Sequence, residues 1–128
     1  MAVEFIQALI LTTRQSDALL TFYEALGLSL EAEDHGEGPV HWSCEIGAAH
    51  FAIFEGTEGQ APKRHEGGGT MIGFRVDSLD AALARLEPLE IRMIYPPHDA
   101  PWGRRAVVLD PDGRAVELNE TPVQTHAD

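Results

Sequence analysis

The sequence is poor in cysteine, in basic residues and in long apolar runs, and each shortage excludes a class of protein. Cys44 is the single cysteine, so no disulfide can form within the chain and nothing points to an oxidising compartment. There are 9 Lys and Arg against 21 Asp and Glu, and the formal net charge of −12 disfavours nucleic acid and anionic membranes. No apolar run approaches the roughly 18 residues of a membrane span, and no signal peptide is recognisable. We expect a cytoplasmic protein.

The remaining composition is that of an ordinary folded domain. Hydrophobic residues make up 44% of the 128 residues, and charged residues make up 23%. This is too hydrophobic for a disordered chain, and the length lies within the usual range of one domain. We therefore expect a single domain over residues 1–128.

The first half of the chain has the pattern of a strand, a helix and three more strands. Residues 5–13 predict a strand buried on both faces. Ser16 is a candidate N-cap for a helix that Gly27 ends. Its apolar face is formed by Leu19, Leu20, Tyr23 and Leu26. Three strands are predicted at residues 28–33, 40–46 and 49–55, the last two forming a hairpin across Gly47 and Ala48.

The second half repeats this order after a glycine-rich connection at residues 56–69, which we expect to be flexible. A strand at 70–76 is followed by a helix that Ser78 caps and Pro88 ends. Leu79, Ala82, Leu83 and Leu86 line one face of that helix. A strand at 89–95, a loop at 96–103 and strands at 105–109 and 114–119 follow, the last two joined by an Asp-Pro-Asp-Gly turn. The tail at 120–128 is predicted to fray.

The two halves correspond residue by residue. Adding 63 maps Thr13 to Val76 and Leu20 to Leu83, and in the last strands adding 65 maps Phe51 to Val116. All five elements recur in the same order, which indicates an internal duplication. Module one covers about residues 5–55 and module two about residues 70–120.

Four stretches resemble the vicinal oxygen chelate superfamily, which includes glyoxalase I, extradiol dioxygenases and bleomycin-resistance proteins. They are RQSDALLTFYEALGL, GFRVDSLDAALARL, PPHDAPWGRR and LDPDGRAVEL. The resemblance implies an α+β fold, in which two tandem βαβββ modules form curled mixed sheets around a cavity. It also implies a homodimer.

In metal-dependent members of this superfamily, up to four side chains of the two modules hold a divalent ion in the cavity. By the resemblance, these positions fall on Ala8, Ala52, Met71 and Glu117. Only Glu117 suits a hard metal, because alanine binds nothing and methionine is a soft donor. We therefore expect no metal or other cofactor. A one-residue slip of the first strand would put Gln7 at the place of Ala8, but it would turn Leu9 and Leu11 towards the cavity.

Two histidines are expected on the cavity side of the first sheet. If Cys44 and Ile46 pack on the helix side, alternation puts His41, Ser43 and Glu45 on the other side, where His50, Ala52 and Phe54 also lie. The hairpin sets Glu45 opposite His50. This pair is either a structural cross-strand contact near the hairpin tip or a contact to a metal. His41, His50 and Phe54 are candidate ligand-binding residues.

Module two supplies the other candidates, namely Glu117, Met71, Arg75 and Trp102. Glu117, the best candidate for catalysis, is either a general base or ligand acceptor, or the partner of an arginine such as Arg75. Arg75 would clamp a carboxylate or phosphate, or else reach solvent. Trp102 would stack on a planar or cationic ligand, or cap the edge of the sheet.

These features favour a metal-independent protein that binds a small, partly apolar molecule in the cavity between the sheets, as bleomycin-resistance proteins do. The acidic balance suits a cationic ligand. The alternative is a divergent metal-dependent lyase or isomerase of the glyoxalase type, or a dioxygenase, that uses Glu117. A third reading is a scaffold whose role is dimerisation. The sequence leaves open whether any reaction is catalysed.

Overall fold

A computed structural model describes residues 2–33, 40–56 and 70–121 of the chain. The chain divides into two compact units, Met1–Ala61 and Pro62–Asp128. This division falls within the predicted connection, most of which, at residues 57–69, lies outside the described residues. Residues 122–128 of the predicted tail at 120–128 also lie outside them, and Glu120, predicted to fray, is the last residue of a strand. Neither helix in the described part of the chain is long and apolar enough to cross a bilayer.

The first unit is a four-stranded sheet with one helix. Its sheet has the order β1-β4-β3-β2, in which β1 runs parallel to β4 and the other pairs are antiparallel. The elements are β1 (Ala8–Thr13), α1 (Ser16–Ala25), β2 (Glu31–Glu33), β3 (His41–Ile46) and β4 (Ala49–Glu55).

The second unit has the same topology. Its sheet has the order β5-β8-β7-β6, and its single parallel pair is again the first strand with the last. The elements are β5 (Met71–Arg75), α2 (Leu79–Leu86), a 3-10 turn (Glu87–Leu89), β6 (Met93–Ala100), β7 (Gly103–Leu109) and β8 (Ala115–Glu120).

The strand registers confirm the α+β fold and its internal duplication. Ala8 pairs with His50 in the first unit, and Met71 pairs with Ala115 in the second. These pairs are related by the offsets of 63 and 65 that the sequence predicts. Corresponding strands therefore place corresponding residues on corresponding faces.

Each helix packs on one face of its own sheet. In the first unit Leu19, Phe22 and Tyr23 are fully buried, and the ring of Tyr23 lies 5.2 Å from that of Phe51 on β4. In the second unit the buried residues Leu79, Ala82 and Leu86 of α2 lie on the side of the sheet that carries Val116 and Leu118. The opposite face of each sheet receives no helix of its own unit, and we call it the open face.

The prediction that β1 is buried on both faces is wrong. The strand begins at Ala8, and Ile10 on its open face is 57% exposed, whereas Leu11 on the helix side is buried. Because α1 packs on the side of Leu9, Leu11 and their partner Phe51, the other face of β1 has no partner within the unit. The continuous apolar run therefore belongs to a strand with one buried and one exposed face.

The predicted loop at 96–103 is also wrong in part, since β6 continues through two prolines to Ala100. Prolines lack the N–H that a central strand needs, but β6 lies at the edge of its sheet. Its register shifts twice, between Met93 and Tyr95 and between Tyr95 and His98. An irregular edge strand accommodates both prolines.

Ser16 does not cap α1. The helix includes Ser16, and its hydroxyl donates to Glu55 Oε2 at 3.0 Å, which ties the helix start to β4. Gly27 does follow the helix with a φ of 102°, as predicted. The Ser16 hydroxyl therefore binds a residue of a distant strand, whereas the capping prediction had it accept from a backbone N–H of the same helix.

The turn between β7 and β8 forms as predicted around the buried carboxylate of Asp110. Its Oδ1 accepts from the backbone N–H groups of Asp112 (2.9 Å) and Arg114 (3.0 Å). The guanidinium of Arg114 donates to both Asp110 and Asp112. Gly113 supplies the left-handed conformation, with a φ of 90°. This turn sets the register that brings β7 beside β8.

Ser78 is expected to stabilise α2 measurably, because its side chain accepts from Ala81 N at 3.1 Å. Ser78→Ala should lower the free energy of unfolding by about 1 kcal/mol, measured by urea denaturation. Ser78→Asn, which preserves an acceptor at the N-cap, is the control. Equal losses in the two variants would contradict a capping role.

Candidate functional site

The open face of the second sheet gathers polar side chains from three strands. Paired strand residues share a face, and the registers pair Gly73 with Glu117 and Arg75 with Asn119. Asn119 also pairs with Arg105 on β7. On β8, Val116 and Leu118 alternate with Glu117 and Asn119 and point to the helix side. Alternation along β8 therefore separates the core from a polar cluster.

Glu117 lies at the centre of this cluster and has two partners. Its Oε2 is 2.5 Å from Arg105 Nη2, and its Oε1 accepts from Asn119 Nδ2 at 2.7 Å. The side chains of Arg105 and Glu117 are 18% and 19% exposed. Because most water is excluded, these two donors replace hydrogen bonds that the carboxylate would otherwise make with water.

Trp102 is connected to the same cluster through Asn119. Its indole Nε1 donates to Asn119 Oδ1 at 3.1 Å. The indole N–H can only donate, so the Oδ1 of Asn119 faces Trp102. The carboxylate of Glu117 accepts, so the Nδ2 of Asn119 faces Glu117. The resulting chain of hydrogen bonds holds an indole that is 53% exposed in one orientation.

Gly73 leaves space in front of Glu117. A Cβ placed on Gly73 would lie 3.4 Å from Glu117 Oε1, which is ordinary van der Waals contact and leaves no space for a longer side chain in that direction. The neighbouring residues of β5 on this face are Met71, which is 48% exposed, and Arg75. A larger side chain at Gly73 would therefore crowd the carboxylate.

The arginine that pairs with Glu117 is Arg105, and the suggested pairing with Arg75 is wrong. Arg75 Nε donates instead to the backbone oxygen of Thr121 at 3.0 Å. Sequence reasoning missed Arg105 and Asn119 as site residues. Period two along β8 places Asn119 on the face of Glu117, whereas placing Arg105 there also requires the register across the turn.

The positions assigned to a metal do not form a site for a hard cation. Ala8 and Ala52 offer no donor, Met71 offers a thioether, and Glu117 is already engaged by Arg105 and Asn119. Over residues 2–33, 40–56 and 70–121, no three His, Cys, Asp or Glu side chains are grouped to share a metal.

The strand register also decides between Ala8 and Gln7. Leu9 and Leu11 pair with Phe51 and Ile53, on the side of the sheet where α1 packs. Ala8 shares the open face with His50, its strand partner, so the slip towards Gln7 does not occur.

The open face of the first sheet carries a buried histidine. His41 Nε2 lies 2.8 Å from Glu33 Oε2, and the imidazole stacks on Phe54 with centroids 4.2 Å apart and planes inclined by 5°. Glu33, His41 and Phe54 are neighbours across three strands. The ring is thus held in place by an acidic partner and an aromatic surface.

The second histidine of this face lies where the sequence placed it. Glu45 pairs with His50 across the hairpin, and His50 Nδ1 is 2.5 Å from Glu45 Oε1. Both side chains are substantially exposed, that of His50 by 39% and that of Glu45 by 66%. The contact is an exposed cross-strand pair. The remaining histidines of the sequence include His35, His65 and His126, which lie outside the described residues.

Cys44 points to the helix side of β3, opposite Phe51. Burial, and secondarily the charge of Glu45, raise the pKa of its thiol. We expect slow reaction with a disulfide reagent such as DTNB at pH 8, because less thiolate is present than in an ordinary cysteine. The rate should rise in 6 M urea and with Glu45→Gln. Equal rates in folded and unfolded protein would contradict this.

The Arg105–Glu117 pair should show a measurable coupling energy. A double-mutant cycle with Arg105→Met and Glu117→Gln should give about 1–3 kcal/mol in urea denaturation, since the pair is mostly shielded from water. The matched control is Arg104 with Asp80, whose side chains are 38% and 80% exposed. Water screens that pair, so its coupling should be smaller. A larger value there would contradict the argument.

Solved structures with the same fold include proteins of several kinds. TnmS3, an antibiotic binding protein from Streptomyces sp. CB03234, matches with a TM-score of 0.71 and 24% identity, over 95% of this chain and 99% of that one. A glyoxalase-related enzyme from Fulvimarina pelagi matches with a TM-score of 0.75 and 19% identity, over 98% and 94%. The fosfomycin resistance protein FosX from Mesorhizobium loti matches with a TM-score of 0.68 and 20% identity, over 94% and 95%.

At these identities the structural likeness shows the fold alone. The family follows from the sequence, because the model of the Glyoxalase/Bleomycin resistance protein/Dioxygenase superfamily matches residues 5–118, which is most of the chain. With its two duplicated βαβββ units, the protein belongs to the Glyoxalase/Bleomycin resistance protein/Dioxygenase superfamily.

Proposed function

We propose that this protein binds a small, partly apolar organic molecule on the open faces of its sheets, and that it does so without a metal. The observation that carries the proposal is the engagement of Glu117 by Arg105 and Asn119. A carboxylate with an arginine at 2.5 Å already has its counter-charge. Ala8, Ala52 and Met71 offer no second hard donor.

The chemistry of the second open face suits an organic ligand. Trp102 and Met71 present exposed apolar surface beside the polar chain of Asn119, Glu117 and Arg105. Small-molecule sites combine apolar walls with a few fixed polar groups in this way. His41, His50 and Phe54 provide a comparable mixture of ring surface and hydrogen-bonding groups in the first unit.

The relatives of known type support binding as one role that this fold serves. TnmS3 is described as an antibiotic binding protein. We propose a similar role, namely sequestration of a ligand without its chemical conversion, and we propose that the protein is a homodimer. Light scattering on the purified protein tests the second point, since a monomer at micromolar concentration would oppose it.

Ligand binding should raise the melting temperature of the protein. A broad set of drugs and metabolites is screened by thermal shift, and each compound that stabilises the protein is tested again by calorimetry. Trp102→Ala should weaken binding by roughly tenfold, because a stacking surface is lost. Thr21→Ala, on the exposed side of α1, is the control. A complete set without one stabilising compound would count against the proposal.

Elemental analysis of protein purified without chelators separates this proposal from a metal-dependent enzyme. We expect no divalent metal near stoichiometry. Nickel, zinc, iron or manganese near one per chain, and lost in Glu117→Ala, would instead establish the alternative lyase, isomerase or dioxygenase reading.

A further inference from the structure

We propose that the guanidinium of Arg105 provides the positive charge that a metal ion would otherwise provide beside Glu117, and that it binds the oxygen atoms of an aromatic carboxylate. This inference rests on the proposed function and names the class of ligand for the second open face. It follows from the position of Arg105, its unused donors and the charge around it.

Arg105 is held rigidly at this face. Glu117 Oε2 lies 2.5 Å from its Nη2, Asn119 orients Glu117, and Trp102 orients Asn119. The side chain of Arg105 is 18% exposed, so little freedom remains to it. A cation fixed in advance loses little entropy when a ligand binds, which favours affinity.

The guanidinium of Arg105 has more N–H groups than its contact with Glu117 requires. A guanidinium has five N–H groups, and among the described residues Glu117 is its acidic partner. Arg105 Nε is buried and lacks a hydrogen-bond partner in the described part of the chain. Because this nitrogen is shielded from solvent, a ligand oxygen would reach the guanidinium at its terminal nitrogens, where Glu117 occupies one side of Nη2.

The local charge selects an anion. The charged residues of this face within β5, β7 and β8 are Arg75, Arg105 and Glu117, which leave one positive charge in excess. The whole chain, in contrast, has a net charge of −12. This patch therefore favours an anion where the average surface would favour a cation.

Two exposed aromatic side chains indicate that the ligand contains a planar ring. The indole of Trp102 is exposed and held by Asn119, and Tyr95, which is 55% exposed, lies opposite Val107 on β6. An aromatic ring stacks on such surfaces while its carboxylate reaches the guanidinium. A carboxylate matches the planar fork of arginine with two parallel hydrogen bonds.

Two probes with the same rings and opposite charges test the proposal on the wild-type protein. We expect 2-naphthoate to bind at least about tenfold more tightly than 2-naphthylmethylamine, measured by calorimetry. In 1H–15N spectra, naphthoate should also shift the Nε–H signal of Arg105. That signal is assigned as the one that disappears in Arg105→Lys. The comparison of affinities uses the wild-type protein alone, and Arg105→Lys serves only to assign the signal.

The matched variants are Arg105→Gln and Arg104→Gln. Both remove one positive charge from neighbouring residues of β7, but Arg104 lies on the helix side, where it pairs with Asp80. Arg105→Gln should weaken naphthoate binding about tenfold or more, and Arg104→Gln should leave it within about twofold.

Tighter binding of the amine, an unchanged Arg105 signal, or equal losses in the two variants would overturn the role of Arg105. If other compounds of the screen still bind, the proposed function stands and only this inference fails. If no compound binds at all, both fail.

Discussion

The alternation of side chains along the strands is the constraint on which the rest of this structure depends. On β8, Val116 and Leu118 pack on the side of α2, so Glu117 and Asn119 must face the other way. The same rule on β7 puts Ala106 in the core and Arg105 beside Glu117. The core under α2 and the polar cluster thus lie on opposite faces of the same strands, and a register change of one residue would exchange these faces.

The duplication shows how one scaffold carries two different surfaces. Ala52 and Glu117 occupy corresponding places in β4 and β8, yet one offers a methyl group and the other a charge. Around Ala52 the first sheet has a stacked, acid-bound histidine, whereas around Glu117 the second has an arginine and an amide. Because the helix-side residues hold each unit together, the two open faces can carry different side chains on the same topology. The superfamily fold therefore does not by itself determine the chemistry.

Much of the fold could be predicted from the sequence, since local signals agree with tertiary packing at Gly27, Ser78 and the Asp110 turn. The errors have a common cause. One face of β1 is uncovered because α1 packs on the other, and β6 accepts two prolines because it lies at the edge of its sheet. Ser16 binds Glu55 from a distant strand. Position within a sheet is a property of the assembled unit and leaves no local trace in the chain.

The sequence by itself determined the duplicated α+β fold, the cross-strand pair of Glu45 with His50, and the absence of hard donors at Ala8, Ala52 and Met71. These follow from residue identity and from spacing along single elements. Only the tertiary structure decided that Glu117 pairs with Arg105, that Arg75 turns to Thr121, and that Asn119 joins Trp102 to the cluster. Those contacts join residues that are distant in the chain, and their geometry exists only once the registers of β8 with β7 and with β5 are set.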